Sequence, residues 1–208
     1  MKKFKTKLII ITASVLLIFA LASFALSNYF NYIELKEIGI NFTKVFWTDF
    51  SVNLITQGTS FALFFLLIFL NFLIIRANLT AIDESFNYLK RVLPLMLISA
   101  VISAYYCGIS RAAVADKFLP YINSEWFSLG DPVFNADIGY YVFQRPFYEA
   151  LSSVFSGMVL IIILLTVLSY ISMYARFDFY NFKKIFKEKP VITHTMITAV
   201  TFLVVKAI

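Results

Sequence analysis

The chain has 208 residues, 61% of them hydrophobic and only 14% charged. A soluble domain carries about 45–50% apolar and about 25% charged residues, so this balance asks for an apolar solvent and excludes an ordinary cytosolic domain. The net charge of +6 raises nucleic acid as a partner, but the Lys and Arg stand in short clusters between apolar runs. That is how the inner ends of membrane helices look, not a basic docking face, so nucleic acid is set aside.

Roughly 20 helical residues cross a ~30 Å hydrocarbon core. Five runs meet that length, at about 8–30, 54–75, 92–113, 150–175 and 191–208. The fold class expected is an all-α integral membrane protein, one polytopic domain over residues 1–208. The first run follows Lys2, Lys3, Lys5 and Lys7. Ala20-Leu21-Ala22 would pass as a signal-cleavage site, but the apolar stretch continues beyond it through Phe24, Ala25 and Leu26 and reads as a retained helix. Pro94 falls in the first turn of the third run, where a missing N–H costs little. The fifth run stops on Lys206-Ala207-Ile208 without a polar tail, which suggests the N-terminal part of a longer protein.

Orientation follows the basic residues. Four lysines precede the first run. Arg76, Lys90 and Arg91 lie between the second and third, and Arg176, Lys183, Lys184, Lys187 and Lys189 between the fourth and fifth. The alternate links are poorer. Residues 31–53 set Lys36 and Lys44 against Glu34, Glu37 and Asp49. The long link 114–149 sets Lys117 and Arg145 against Asp116, Glu125, Asp131, Asp137 and Glu149. An N-terminus in the cytoplasm and a multi-pass protein of the cell membrane follow.

Polar groups inside the spans are few. Asn71 calls for an interhelical hydrogen bond, since lipid offers no partner. His194, the single histidine, lies one turn inside the fifth run and reads as interfacial. Ser99, Ser103, Ala104 and Gly108 form a small-residue stripe suited to close packing. Cys107 reads as a small buried hydrophobe. The segment 176–189 reads as a positive-inside loop with aromatic anchors; the alternative is a short helix in the anionic inner leaflet, since Phe179, Phe182, Ile185 and Phe186 can share one helical face opposite Lys183, Lys184 and Lys187. Asn41-Phe42-Thr43 and Asn78-Leu79-Thr80 match a glycosylation sequon, and neither reads as a modified site.

The link 114–149 is the most distinctive segment. Ten aromatics lie from Phe118 to Tyr148. Asp131-Pro132 favours a turn, and Arg145 stands within reach of Glu149. The aromatics favour an ordered element over a tether; the alternative is that they begin the fourth helix, with Pro146 in its first turn. Glu125, Asp131 and Asp137 match no calcium loop. No nucleotide, zinc or serine-hydrolase motif occurs, so no catalytic, cofactor or metal residue is assigned.

The stretch DPVFNADIGYYVFQRPFY resembles the DP-x-FG-x-D-(I/V)-x-(F/Y)-Y-(V/L)-F-x-LPFY signature of a large uncharacterised bacterial membrane-protein family, uncharacterised protein family 0182. KEIGINFTKVFWTDF at 36–50 resembles the same family's first external loop. The matching positions, of unknown role, are Trp47, Asp131, Pro132, Phe134, Asp137, Gly139, Tyr141, Phe143, Pro146, Phe147 and Tyr148. Glu34 lies near the place where the family has a tryptophan, Ile40 replaces a tyrosine, Asn135 a glycine and Arg145 a leucine. The resemblance implies about seven membrane helices and a large extracytoplasmic domain, of which this chain holds the first five helices. It implies no activity.

Two functions are expected in competition. One is the membrane part of an envelope protein, which anchors and contacts an external domain or protein partner besides the lipid bilayer. The other is transport of a small solute or lipid, resting on Gln57, Thr59, Ser60, Asn71 and His194. A membrane enzyme would need Glu125, Asp131 and Asp137 to converge.

Overall fold

The computed structural model describes residues 2–83, 92–175 and 182–207. Five long helices account for most of them: α1 Lys2–Ile38, α2 Phe42–Ile82, α3 Val92–Ile122, α4 Arg145–Ala175 and α5 Lys189–Ala207. A π-helical turn, Tyr140–Gln144, leads into α4, and a 3-10 helix, Phe182–Lys187, precedes α5. Among the described residues four helices are long and apolar enough to cross a membrane: Phe42–Ile82, Val92–Ile122, Tyr140–Ser172 and Lys189–Ala207. Their outward faces are apolar too, with Leu93, Val101 and Leu203 each about two-thirds exposed. Water would penalise such a surface, and lipid would not.

The helices run well past the apolar stretches. α2 begins at Phe42, not near residue 54, and reaches Ile82. At 41 residues it is roughly twice the length that spans the hydrocarbon. The expected link 31–53 is therefore mostly helix, broken only around Gly39–Asn41. Likewise α3 continues to Ile122 and helix resumes at Tyr140, so the expected loop 114–149 shrinks to about 123–139. Hydropathy reports which solvent a segment prefers, whereas a helix ends only where the backbone is interrupted. Glu34, Leu35, Lys36 and Glu37 are good helix formers and leave α1 no reason to stop.

Two compact units divide the chain, residues 1–51 and 52–208. In the first, a tight turn joins α1 to α2: the Phe42 amide donates to the Gly39 carbonyl at 2.9 Å, and the Thr43 hydroxyl to the Ile40 carbonyl at 2.8 Å. Phe46 is buried and meets Tyr32 edge to face at 5.4 Å between ring centroids.

In the second unit α4 is the hub, packed against both α3 and α5. Phe64 of α2 lies 4.6 Å from Tyr106 of α3, centroid to centroid. The Tyr106 hydroxyl donates to the Val154 carbonyl of α4 at 2.8 Å. Gly157 makes room for it, because a Cβ there would collide with that hydroxyl. The buried face of α3 is Leu95, Ser99, Ser103, Tyr106, Ser110 and Val114. Of the expected small-residue stripe, Ser99 and Ser103 are buried, while Ala104 and Gly108 face outward. Cys107 is only half-buried and donates to the Ala104 carbonyl at 3.0 Å. Pro94 does sit in the first turn of α3.

The described part of the basic segment before α5 is a short 3-10 helix. Ile185 is fully buried in the bundle core and Phe186 packs against it, so these two face the other helices. Lys90, Arg91 and residues 176–181 fall outside the described residues.

Candidate functional site

Between α3 and α4 the chain folds into a small hairpin. Gly130 and Asp137 form an isolated antiparallel bridge. The Asp131 amide donates to the Ala136 carbonyl at 2.8 Å, and the Ile138 amide to the Leu129 carbonyl at 3.0 Å. The turn is Asp131-Pro132-Val133-Phe134-Asn135, closed by the Asn135 amide on the Asp131 carbonyl at 2.8 Å. Pro132 supplies a fixed φ for the turn. Asp131 holds the turn from inside: its Oδ2 accepts from the Phe134 amide at 3.0 Å and the Tyr141 hydroxyl at 3.2 Å.

Asn135 has a φ of 54°, in the left-handed region. This accounts for the glycine of the family signature at this place, and for why Asn is the residue that replaces it. Asn tolerates this conformation better than any residue but glycine. Asn135→Gly is expected to leave hairpin stability nearly unchanged, and Asn135→Ala to cost about 1 kcal/mol. Amide exchange of Asn135 and Ile138 in nanodiscs checks both.

Asp137 is the lynchpin. It is nearly buried, at 9% exposure. Its Oδ1 accepts from the Gly139 amide at 2.7 Å and the Phe127 amide at 3.2 Å. Partial desolvation pushes its pKa up, but the amides of Gly139 and Phe127, with those of Ser128 and Leu129, outweigh that and hold it below the ordinary aspartate value. A depressed folded pKa means the carboxylate stabilises the hairpin fully above the ordinary value of about 3.9 and ceases to as pH falls through the folded one. Acidification below the usual carboxylate range is therefore expected to loosen the hairpin, and Asp137→Asn to remove that pH dependence. Trp126 emission followed from neutral to acid pH is the measurement.

Beneath the hairpin lies an aromatic floor. Tyr121 of α3 stacks on Phe147 of α4 at 4.2 Å between centroids, and its hydroxyl lies 3.2 Å from that of Tyr148. Phe127 stacks on Phe143. Arg145 pairs with Glu149 at 2.8 Å and lies over the Tyr141 ring at 5.9 Å. Both members of the pair are more than half exposed, so it contributes little to stability. Pro146 occupies the first turn of α4. The π turn just before it, closed by the Arg145 amide on the Tyr140 carbonyl, falls where proline interrupts the α ladder. The two expectations for this segment thus divide it: residues 128–139 form an ordered hairpin, and Tyr140 to Tyr148 begin the fourth helix.

The hairpin tip is apolar and open. Leu129, Val133 and Phe134 are 60%, 76% and 78% exposed. With Asp131, Ile138 and Tyr141 they line a groove of about 590 Å³. Trp47, the remaining signature residue, belongs to the first unit, where it packs against Tyr32, Phe46 and Phe50. Phe127 and Tyr121 complete the site but lie outside the recognised motif, and no spacing rule points to them.

The three carboxylates do not converge. Asp131 and Asp137 are engaged by hairpin amides, and among the described residues no group of three or more His, Cys, Asp or Glu is placed to hold a metal ion. The residues noted for transport are also dispersed. Thr59 returns its hydroxyl to the Ile55 carbonyl of its own helix at 2.6 Å. Asn71 accepts from the Thr166 hydroxyl at 2.9 Å, the interhelical bond expected of it, while its Nδ2 is buried without a partner. His194, a little over one turn into α5, is buried against neighbouring helices: its Nδ1 lies 2.9 Å from the Tyr170 hydroxyl. That oxygen also accepts from Asn78 Nδ2 at 2.8 Å, so the second sequon's asparagine is an internal structural residue.

Apolar helices longer than the hydrocarbon, and a short rigid hairpin pinned by two aspartates, define an all-helical protein of the membrane type. The chain belongs to the Uncharacterised protein family (UPF0182), whose model matches residues 8–208. A UPF0182 protein of Caldicellulosiruptor saccharolyticus is 32% identical over 99% of this chain and 23% of its own length. UPF0182 proteins of Clostridium botulinum and Clostridium perfringens are 25% and 29% identical over 70% and 66% of this chain. The chain spans less than a quarter of the length of these relatives. No solved structure matches it.

Proposed function

We propose that this chain is a non-catalytic, membrane-embedded anchoring and docking part of a bacterial envelope protein, held in the cytoplasmic membrane with its N-terminus inside. The α3–α4 hairpin is then its external contact point. The observation that carries this reading is a tip ordered by Asp131 and Asp137 that nevertheless leaves Leu129, Val133 and Phe134 in the open around a groove. Ordering apolar side chains toward water has no folding benefit, and such patches mark sites of contact. Asp131 is the one charged residue that lines the groove, and no Lys or Arg is among its lining residues. That favours a polypeptide with apolar and basic side chains over an anionic lipid surface. The relatives' greater length makes an extracytoplasmic domain of the same protein the foremost occupant.

A photocrosslinking residue at Phe134 tests this in cells, with one at the lipid-facing Val101 as control. The expected product is a polypeptide adduct at Phe134 that is absent at Val101 and diminished by Asp137→Ala. Adducts to lipid alone at both positions would defeat the reading.

A further inference from the structure

The first unit contains a second concavity with a different chemistry. Tyr29 and Tyr32 of α1 and Phe46, Trp47 and Phe50 of α2, with Asn28, line a crevice of about 320 Å³, at the low end of small-ligand sites. Phe46 and Phe50 stack nearly parallel, at 17°, while the others meet them at steep angles: 73° between Tyr32 and Phe46, 78° between Phe46 and Trp47, and 87° between Trp47 and Phe50. The crevice is thus walled by one stacked pair with Tyr32 and Trp47 set across it, so ring planes face it in more than one direction. No Lys or Arg lines it. Trp47 is 57% exposed and Tyr29 58%, so the crevice is open to its surroundings.

We propose that this crevice binds an alkylammonium group, primary or quaternary, carried by a lipid headgroup or by a soluble amine. The face of an aromatic ring is electronegative, and several rings around one point attract a weakly hydrated cation. The same ring faces disfavour an anion. The charge balance agrees, because residues 31–53 hold Glu34, Glu37 and Asp49 against Lys36 and Lys44. Asn28 adds an acceptor: its Nδ2 already donates to the Phe24 carbonyl at 2.8 Å, which leaves its amide oxygen for the ligand. The rings come just beyond the end of the first apolar run, near Phe30, the level where Trp and Tyr meet lipid headgroups.

The test uses the full chain carrying Trp126→Phe, so that Trp47 is the single indole. In phosphatidylglycerol nanodiscs it is titrated with choline, and in parallel assembled with increasing phosphatidylethanolamine or phosphatidylcholine. A saturable change in Trp47 emission is expected in at least one arm. A response to choline assigns a soluble amine, and a response confined to the doped discs assigns a headgroup. Tyr32→Leu is expected to weaken binding roughly 3- to 30-fold, the worth of one ring against a cation. Since Tyr32→Leu removes packing as well, Asn28→Asp serves as the gain-of-function variant: a carboxylate at the rim should tighten binding several-fold. An equal response to the uncharged carbon isostere of choline would reduce the crevice to a greasy cleft and overturn the proposal. So would binding unaltered in both variants, or no saturable response in any arm.

Discussion

Gly139→Ala is expected to undo the hairpin, lowering its stability by about 1–3 kcal/mol, the cost of forcing a methyl group into a packed site. A Cβ at Gly139 would run into the Glu125 carbonyl oxygen and come within 2.9 Å of Asp137 Oδ1. The first of these is backbone and cannot rotate away. Relief requires the 125–129 segment to lift, which breaks the Phe127 amide bond to Asp137. The Gly139 requirement is therefore one of close approach, not of backbone angle, since its φ is an ordinary −57°. Gly58→Ala and Gly108→Ala are the matched controls: nothing lies within 4 Å of a Cβ at either. Both sit inside helices, where alanine gains up to about 1 kcal/mol over glycine. Hydrogen exchange across 125–139 in nanodiscs reads the result. Protection in Gly139→Ala equal to the parent's would show that the backbone contact is not what holds the loop.

Tyr170→Phe is expected to cost about 1–3 kcal/mol, because the lost hydroxyl takes a partner from the buried His194 ring and the shorter bond from half-buried Asn78. The Tyr170 ring is fully buried in α4. Its oxygen accepts from Asn78 of α2 and lies 2.9 Å from His194 Nδ1 of α5, so it ties three helices at one point. If Tyr170 donates its proton to Nδ1, His194 is the neutral tautomer protonated at Nε2, and the chain of donation runs Asn78 to Tyr170 to His194. Asn78 keeps a second, longer bond to the Pro190 carbonyl at 3.3 Å, which softens its loss. His194→Leu alone leaves the Tyr170 hydroxyl with its Asn78 partner, and should cost less. In the double variant the two losses should fall short of their sum by roughly 0.6–1.7 kcal/mol, the coupling typical of interhelical hydrogen bonds in membranes. Thermal unfolding in mild detergent with all four proteins closes the cycle. Strict additivity would mean the pair is merely adjacent.

These two sites differ in what made them legible. Asp137, Gly139 and the turn residues were visible as a motif because they match the long loop signature that the sequence resembles. Asn135 links that signature to the backbone: a left-handed φ admits glycine or asparagine and little else. Their roles were not visible, because the partner of Gly139 is a carbonyl fourteen positions back and the partners of Asp137 include Phe127. Tyr170 left no trace in the sequence at all. It is one tyrosine near the end of an apolar run, and only the packing of α2, α4 and α5 gives it Asn78 and His194 as neighbours.

By itself the sequence determined the solvent, the helical class and the family, since apolar runs of membrane length and a long loop signature survive without knowledge of contacts. It also located the helix centres, but not their ends, because hydropathy falls off at the headgroups while the backbone of α1, α2 and α3 continues through Glu34–Glu37, Phe42–Asn53 and Val114–Ile122. Only the tertiary structure decided which side of each helix is inside. In lipid an apolar side chain is equally at home on either face, so Ser99, Ser103 and Ser110 turn inward while Leu93 and Val101 face out, an inversion no hydrophobic periodicity announces. The same physics buried His194 with Tyr170, set Asn71 on Thr166, and left the apolar tip at Val133 and Phe134 uncovered.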